Sequence, residues 1–188
     1  PVTMTVMDNG AVAGHPTVGP DGRFSFLLNL EVGENNVTVV AKDGAGLTTT
    51  ASYYIIRMVT DRTQADVDAL NDRGTYNASD LNRVNTAMAY LDRWLSEAGY
   101  ITGYANQDIA WAMDDIPLQA QMADYLSNVG AIGGTFPLAN APAIPASMEF
   151  LTHDGANHIE RVLVLTDQIR ARLKRSPFVS GEIFCGEV

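Results

Sequence analysis

The 188-residue sequence is poor in cysteine, in basic residues and in long apolar runs, and each shortage excludes a class of protein. A lone cysteine, Cys185, cannot form an internal disulfide, so the chain is not a disulfide-stapled secreted module. No Cys/His cluster has zinc-ligand spacing, and no metal or other cofactor is expected. Twelve Lys and Arg stand against 22 Asp and Glu, a formal charge of −10. That field repels phosphate backbones and anionic bilayers, so neither nucleic acid nor a membrane is an expected partner. No run approaches the ~20 apolar residues of a membrane span, and no signal peptide is read at the N-terminus. Charged residues are scarce at 18%, while hydrophobic ones reach 46%, a balance that argues against disorder along the whole length.

What is present changes character near Val59. Before it the patterning has a period of two, broken by turn residues. Strands are expected at Val2–Met7, Ala11–Ala13, Arg23–Leu30, Asn36–Lys42 and Leu47–Met58. Asp8-Asn9-Gly10, Gly19-Pro20-Asp21-Gly22 and Asp43-Gly44-Ala45-Gly46 supply turns between them. In Arg23–Leu30 the residues Phe24, Phe26, Leu28 and Leu30 share one face. Short β-branched strands at regular spacing predict a small antiparallel sandwich over residues 1–59, although ~100 residues is the usual length of such a domain.

From residue 60 to 188 the period is 3.6. Thr60 or Asp61 is expected to cap a short helix over 62–72, with Ala65, Val67 and Leu70 inward and Asp66, Asp68 and Asp72 in solvent. The best-specified helix follows Tyr76. Its residues Leu81, Val84, Met88, Leu91 and Leu95 are spaced 3, 4, 3 and 4, with Asn77 or Ser79 as cap and Gly99 at the end. A third helix is expected to start at Asp114-Asp115-Ile116-Pro117, to carry Leu118, Met122, Leu126 and Val129 inward, and to end at Gly130. Residues 130–148 form a Gly/Pro-rich connection. The last helix runs from Thr152 to Arg175 with Ile159, Val162, Leu163, Thr166, Ile169 and Leu173 inward, and residues 177–188 form a C-terminal arm. The fold class is therefore α+β in segregated modules, a β-sandwich followed by a bundle of three to four helices.

No set of residues forms a catalytic group. His153 and His158 are five apart, which puts the rings about 140° apart on a helix, so with Asp154 and Glu160 they read as surface or capping residues. Asp66, Asp68 and Asp72 lack the glycine of a calcium loop. Asp114 and Asp115 are adjacent and fit a helix start better than an acid/base pair. Ser180 is not in a nucleophile elbow, and Gly130, Gly133 and Gly134 lack the lysine of a phosphate loop. Cys185 reads as an inert thiol. Asn36 and Asn77 stand in glycosylation acceptor triplets. Tyr53 and Tyr54 are the candidate surface contacts, with Tyr100, Tyr104 and Trp111 as further aromatics able to stack on sugars.

Two stretches resemble known families. Gly19-Pro-Asp-Gly-Arg-Phe-Ser-Phe, followed by Val32-Gly-Glu-Asn-Asn-Val-Thr-Val-Val-Ala-Lys-Asp-Gly-Ala-Gly, resembles the repeat of bacterial immunoglobulin-like domains. Thr60-Asp-Arg-Thr-Gln-Ala-Asp-Val, Tyr76-Asn-Ala-Ser-Asp-Leu-Asn-Arg-Val, Asp115-Ile-Pro, Met122-Ala-Asp-Tyr-Leu-Ser-Asn-Val, Pro145-Ala-Ser-Met-Glu and Ser180-Gly-Glu-Ile-Phe-Cys-Gly-Glu-Val resemble a C-terminal helical module. That module is associated with tail or baseplate structural proteins of phages and prophages of Gram-positive bacteria. The resemblance implies a non-enzymatic virion component located in a phage tail. Its partners would be other virion proteins, further copies of itself and, through the immunoglobulin-like module, a host-surface glycan. The alternative it leaves is a carbohydrate-binding or adhesion module of a bacterial surface protein.

Overall fold

The computed structural model describes residues 2–175, so the expected arm at 177–188, with Ser180 and Cys185, lies outside the described residues. The chain divides into two compact units, Pro1–Val59 and Thr60–Val188.

The first unit is one open antiparallel sheet of four strands, β1 (Thr3–Asp8), β2 (Ala11–Gly14), β3 (Gly33–Lys42) and β4 (Thr48–Arg57), in the order β2-β1-β3-β4. Asn9 and Gly10 both take positive φ, the geometry a two-residue hairpin needs to follow the strand twist, and join β1 to β2. In the long β3–β4 ladder Gly33 stands opposite Arg57 and Lys42 opposite Thr48. Residues paired across a ladder share a face, so Met4, Val6 and Val37 lie together, and they form the buried centre.

The strand expected at Arg23–Leu30 does not form. Residues 23–30 are in no ladder, although Phe26, Leu28 and Leu30 are half-buried while Ser25, Leu27 and Asn29 are exposed. Alternation there reports which side chains face the protein. It does not report backbone pairing, which a segment lacking a neighbouring strand cannot have. The Phe26 ring instead lies over Gly14 of β2, in the space that a β-carbon would fill.

Two turns of the first unit are closed by side chains. The fully buried Asn35 side chain accepts from the Glu31 N–H and donates to the Glu31 and Gly33 carbonyls, closing the turn into β3. Asp43 Oδ1 accepts from the Ala45 and Leu47 N–H groups and closes the β3–β4 turn.

The second unit holds α1 (Gln64–Asp68), α2 (Ala78–Glu97), α3 (Gln119–Gly133) and α4 (His153–Arg175). The α2 stripe Leu81, Val84, Met88, Leu91 and Leu95 is wholly buried, against Val129 and Ile132 of α3 and Ile159, Val162 and Leu163 of α4 in the same core. Each such side chain contributes about 1.5–3 kcal/mol by leaving water. Asn77 caps α2, and Gly99 at positive φ ends it.

Five expectations about helices are corrected. Helix α1 is shorter than residues 62–72, because Leu70 takes positive φ and points outward at 83% exposure, and the cap is Thr63 rather than Thr60 or Asp61. Asp66 is half-exposed and is tied to the cap rather than free in solvent. Its carboxylate accepts from the Thr63 N–H and hydroxyl, and these bonds hold it below the usual carboxylate range. Helix α3 starts at Gln119, leaving Leu118 exposed, and Asp115 closes a turn upstream by accepting from the Ala112 N–H. Gly130 does not stop α3, which continues to Gly133, where the backbone comes close to Val162 of α4. Leu173, at 39% exposure, is outside the α4 stripe.

Candidate functional site

The most chemically distinctive feature of the second unit is a buried cluster of four charges. Arg62 precedes α1, Asp80 and Arg83 sit in the first turns of α2, and Glu160 is on α4. Arg62 Nη2 donates to Asp80 Oδ1 at 2.8 Å and to Glu160 Oε1 at 2.7 Å. Arg83 grips Glu160 with two nitrogens, Nε to Oε2 at 3.1 Å and Nη2 to Oε1 at 2.6 Å, and also donates to Asp80 Oδ1. The two guanidinium groups and two carboxylates sum to zero, which is what makes the cluster tolerable in a core. Burial pulls Arg83 down, but its bonds to Glu160 and Asp80 more than offset this and hold it above its ordinary value.

Asp80 and Arg62 are each held on a second side. Asp80 Oδ2 accepts from the Asn77 N–H, so the carboxylate that pairs with arginine also caps α2. The backbone of Arg62 exchanges two hydrogen bonds of 2.9 Å with the Asn157 amide of α4. Its guanidinium lies 5.4 Å from the centroid of the Tyr76 ring. The Tyr76 hydroxyl is 2.6 Å from that of Tyr125 on α3. Burial, with the nearby Glu160 charge, raises Tyr76 above the usual phenol range, and burial raises Tyr125 likewise. The pre-α1 segment and helices α2, α3 and α4 are therefore tied at one point.

Glu160 was expected at the surface and is completely buried, which corrects that reading. The helical phase carries the signal: Glu160 lies four residues after Ala156 and three before Leu163, both buried. Asp80 and Arg83 stand likewise on the face of Leu81, Val84 and Ala87.

The other predicted residues are not brought together. Tyr53 and Tyr54 are neighbours on β4 and so face opposite sides of the sheet. Tyr53 is 56% exposed, whereas Tyr54 is half-buried and donates to Glu34 Oε2 at 2.7 Å. His153 Nε2 is 3.4 Å from Asp154, and His158 Nδ1 is 3.0 Å from the Ala143 carbonyl, so the histidines have separate partners. Trp111 is buried, and Tyr100 packs edge-on against Phe136 with centroids 4.9 Å apart. Among the described residues no three His, Cys, Asp or Glu are placed to hold a metal, and no helix is long and apolar enough to cross a membrane.

Two cavities share the Tyr76 ring that covers Arg62. One of about 770 Å³ opens between the start of α3 and residues 146–151. The other, about 250 Å³, lies beside Arg62, Gly74 and His153. Tyr76 and Leu151 line both, so the ring that covers Arg62 is also the partition between them. Comparison of the chain with protein-family models, with curated proteins and with solved structures gives no match in any of the three.

Proposed function

We propose that the protein is a non-enzymatic structural component of a phage or prophage virion, at the tail tip, baseplate or fibre. The helical unit is its assembly module. Residues 1–59 are an immunoglobulin-like spacer or weak binder of the host surface.

The observation that carries the reading is where the residues behind the second resemblance reside. Arg62 of Thr60-Asp-Arg-Thr and Tyr76, Asp80 and Arg83 of Tyr76-Asn-Ala-Ser-Asp-Leu-Asn-Arg-Val converge on one buried cluster. Such residues specify a fold, and a motif built from them marks a scaffold rather than a reaction. For the first unit, support comes from the Asn35 and Asp43 turns and from Phe26 lying over Gly14, which places the 23–30 segment against the sheet. Antibody against the chain should label purified particles at one end of the tail. Absence of labelling on intact and disrupted particles overturns the assignment.

A second reading is favoured by the exposure of Tyr53 on the edge strand β4. In it the first unit binds a glycan through a stacked aromatic. A glycan array separates the two: saturable binding lost in Tyr53→Ala supports adhesion, and an empty array leaves the spacer role.

A further inference from the structure

The larger cavity has the volume of a small-molecule pocket but not the surroundings of one. Its lining includes the apolar side chains of Tyr76, Leu81, Met122, Ala123, Met148 and Leu151. Ile116 and Leu118, on either side of the lining residue Pro117, are 87% and 62% exposed. Phe150, between the lining residues Glu149 and Leu151, is 90% exposed and has φ 55. A phenylalanine in left-handed backbone is strained, and in water it gains no burial to offset that strain. A small ligand filling the cavity leaves these three side chains wet. None of the three lines the cavity itself, but each adjoins a lining residue. A polypeptide that extends past the cavity has the reach to cover apolar side chains beside it.

Charge narrows the choice of polypeptide. Residues 94–160 contain no lysine or arginine and eight aspartates and glutamates. Asp114, Asp115, Asp124 and Glu149 of this stretch are exposed, and Glu149 lines the cavity itself. An acidic segment is repelled from such a mouth and a basic one drawn to it.

We propose that this groove docks an amphipathic segment of a partner protein. Its apolar anchors enter between Met122 and Met148, and its flanking Lys or Arg residues face Glu149 and Asp114. The inference deepens the assembly reading by naming the chemistry of one contact. Particle labelling and peptide binding can each fail while the other succeeds, so the two claims are separately tested.

The probes are two synthetic amphipathic peptides with the same leucine pattern, one with lysine and one with glutamate at every polar position. They are titrated by fluorescence anisotropy against the full 188-residue chain in ~150 mM salt. The lysine peptide is expected to bind saturably and at least tenfold more tightly than the glutamate peptide. Ala123→Arg, which fills and reverses the charge of an exposed wall, should weaken it at least tenfold. Glu149→Gln with Asp114→Asn, both at the surface, should weaken binding severalfold and flatten its salt dependence, with an unchanged melting temperature. Equal binding of the two peptides overturns the proposal. So does lysine-peptide binding that neither variant alters, since that is adsorption to an acidic surface. A peptide of residues 176–188 that competes more tightly than the lysine peptide assigns the groove to the chain's own terminus. Retention of N-phenyl-1-naphthylamine against saturating lysine peptide assigns it to a small apolar ligand. Either result removes the partner.

Discussion

Arg62 Nη2 donates to Glu160 Oε1 across 2.7 Å and 98 positions of sequence. Both side chains are buried, and they meet only once the segment before α1 has packed against α4. The bond therefore belongs to the assembled helical unit and to no single element. Arg83 holds the same Glu160 oxygen, so the carboxylate is the hub through which the pre-α1 segment and α2 meet α4.

Breaking such a hub leaves a charge buried without its counter-ion. Glu160→Gln keeps the shape of the side chain but leaves two guanidinium groups sharing Asp80. The expected loss is roughly 3–5 kcal/mol of stability. Urea unfolding followed by helical circular dichroism measures it. In a double-mutant cycle with Arg62→Met the loss in the double variant should fall short of the sum of the two single losses by at least about 1 kcal/mol. A Glu160→Gln loss below about 1 kcal/mol contradicts the account.

The Tyr76–Tyr125 pair gives the unit an alkaline limit. Both phenols are raised in the folded state, so above the ordinary phenol value of about 10 the unfolded chain loses protons that the folded chain keeps. Stability is therefore unaffected by this pair below about pH 9 and falls as pH rises past 10. The slope approaches about 2.7 kcal/mol per pH unit for two groups. Urea midpoints at pH 8, 10 and 11 test this, and Tyr76→Phe should roughly halve the slope. At pH 7 the same variant leaves the Tyr125 hydroxyl without its 2.6 Å partner and should cost about 1–3 kcal/mol, much of it recovered in the double phenylalanine variant.

How much of this was legible follows from what periodicity reports. The α2 stripe could be read because every third or fourth residue is apolar and the helix is long enough for the pattern to repeat. Glu160, Asp80 and Arg83 occupy the same faces, but a reading that equates charge with surface discards them. Only their partners, most distant in sequence, justify their burial. The 23–30 segment failed differently. Its alternation is real, but pairing depends on whether a neighbouring strand exists, and no local pattern carries that information. The turns at Asn35 and Asp43 were visible as turn residues, while Asn35's three bonds and full burial were not. The groove was invisible, because Pro117 and Met148 lie far apart in sequence and meet only in the fold.

The contact between α3 and α4 depends on the absence of one methyl group. A β-carbon on Gly133 meets Cγ1 of Val162, itself buried. Gly133→Ala should lose about 1–3 kcal/mol through overpacking, despite the better helix propensity of alanine. Val162→Ala alone should also destabilise, by leaving a void. The double variant should be more stable than the sum of the single changes predicts, because each repairs the defect of the other. Melting of the four proteins by circular dichroism decides it, and strict additivity refutes the contact.

Asn35 is expected to matter more to the sheet than either tyrosine of β4. Its buried amide makes three bonds of 2.8–2.9 Å to the backbone of residues 31–33, and alanine removes all of them. At a net ~0.5–1.5 kcal/mol each, the loss is about 2–4 kcal/mol. That is a large share of what a unit of this size can hold, since a domain near 60 residues buries too little surface to be more than marginally stable. Tyr53→Ala, at an exposed side chain, should change stability by less than about 0.5 kcal/mol. Both tryptophans, Trp94 and Trp111, belong to the helical unit, so fluorescence does not follow the sheet. Backbone amide spectra of β3 and β4 in rising urea do. In Asn35→Ala those signals should vanish at markedly lower urea than in the parent, and in Tyr53→Ala at nearly the same concentration. Equal midpoints for parent and Asn35→Ala contradict the role assigned to that turn.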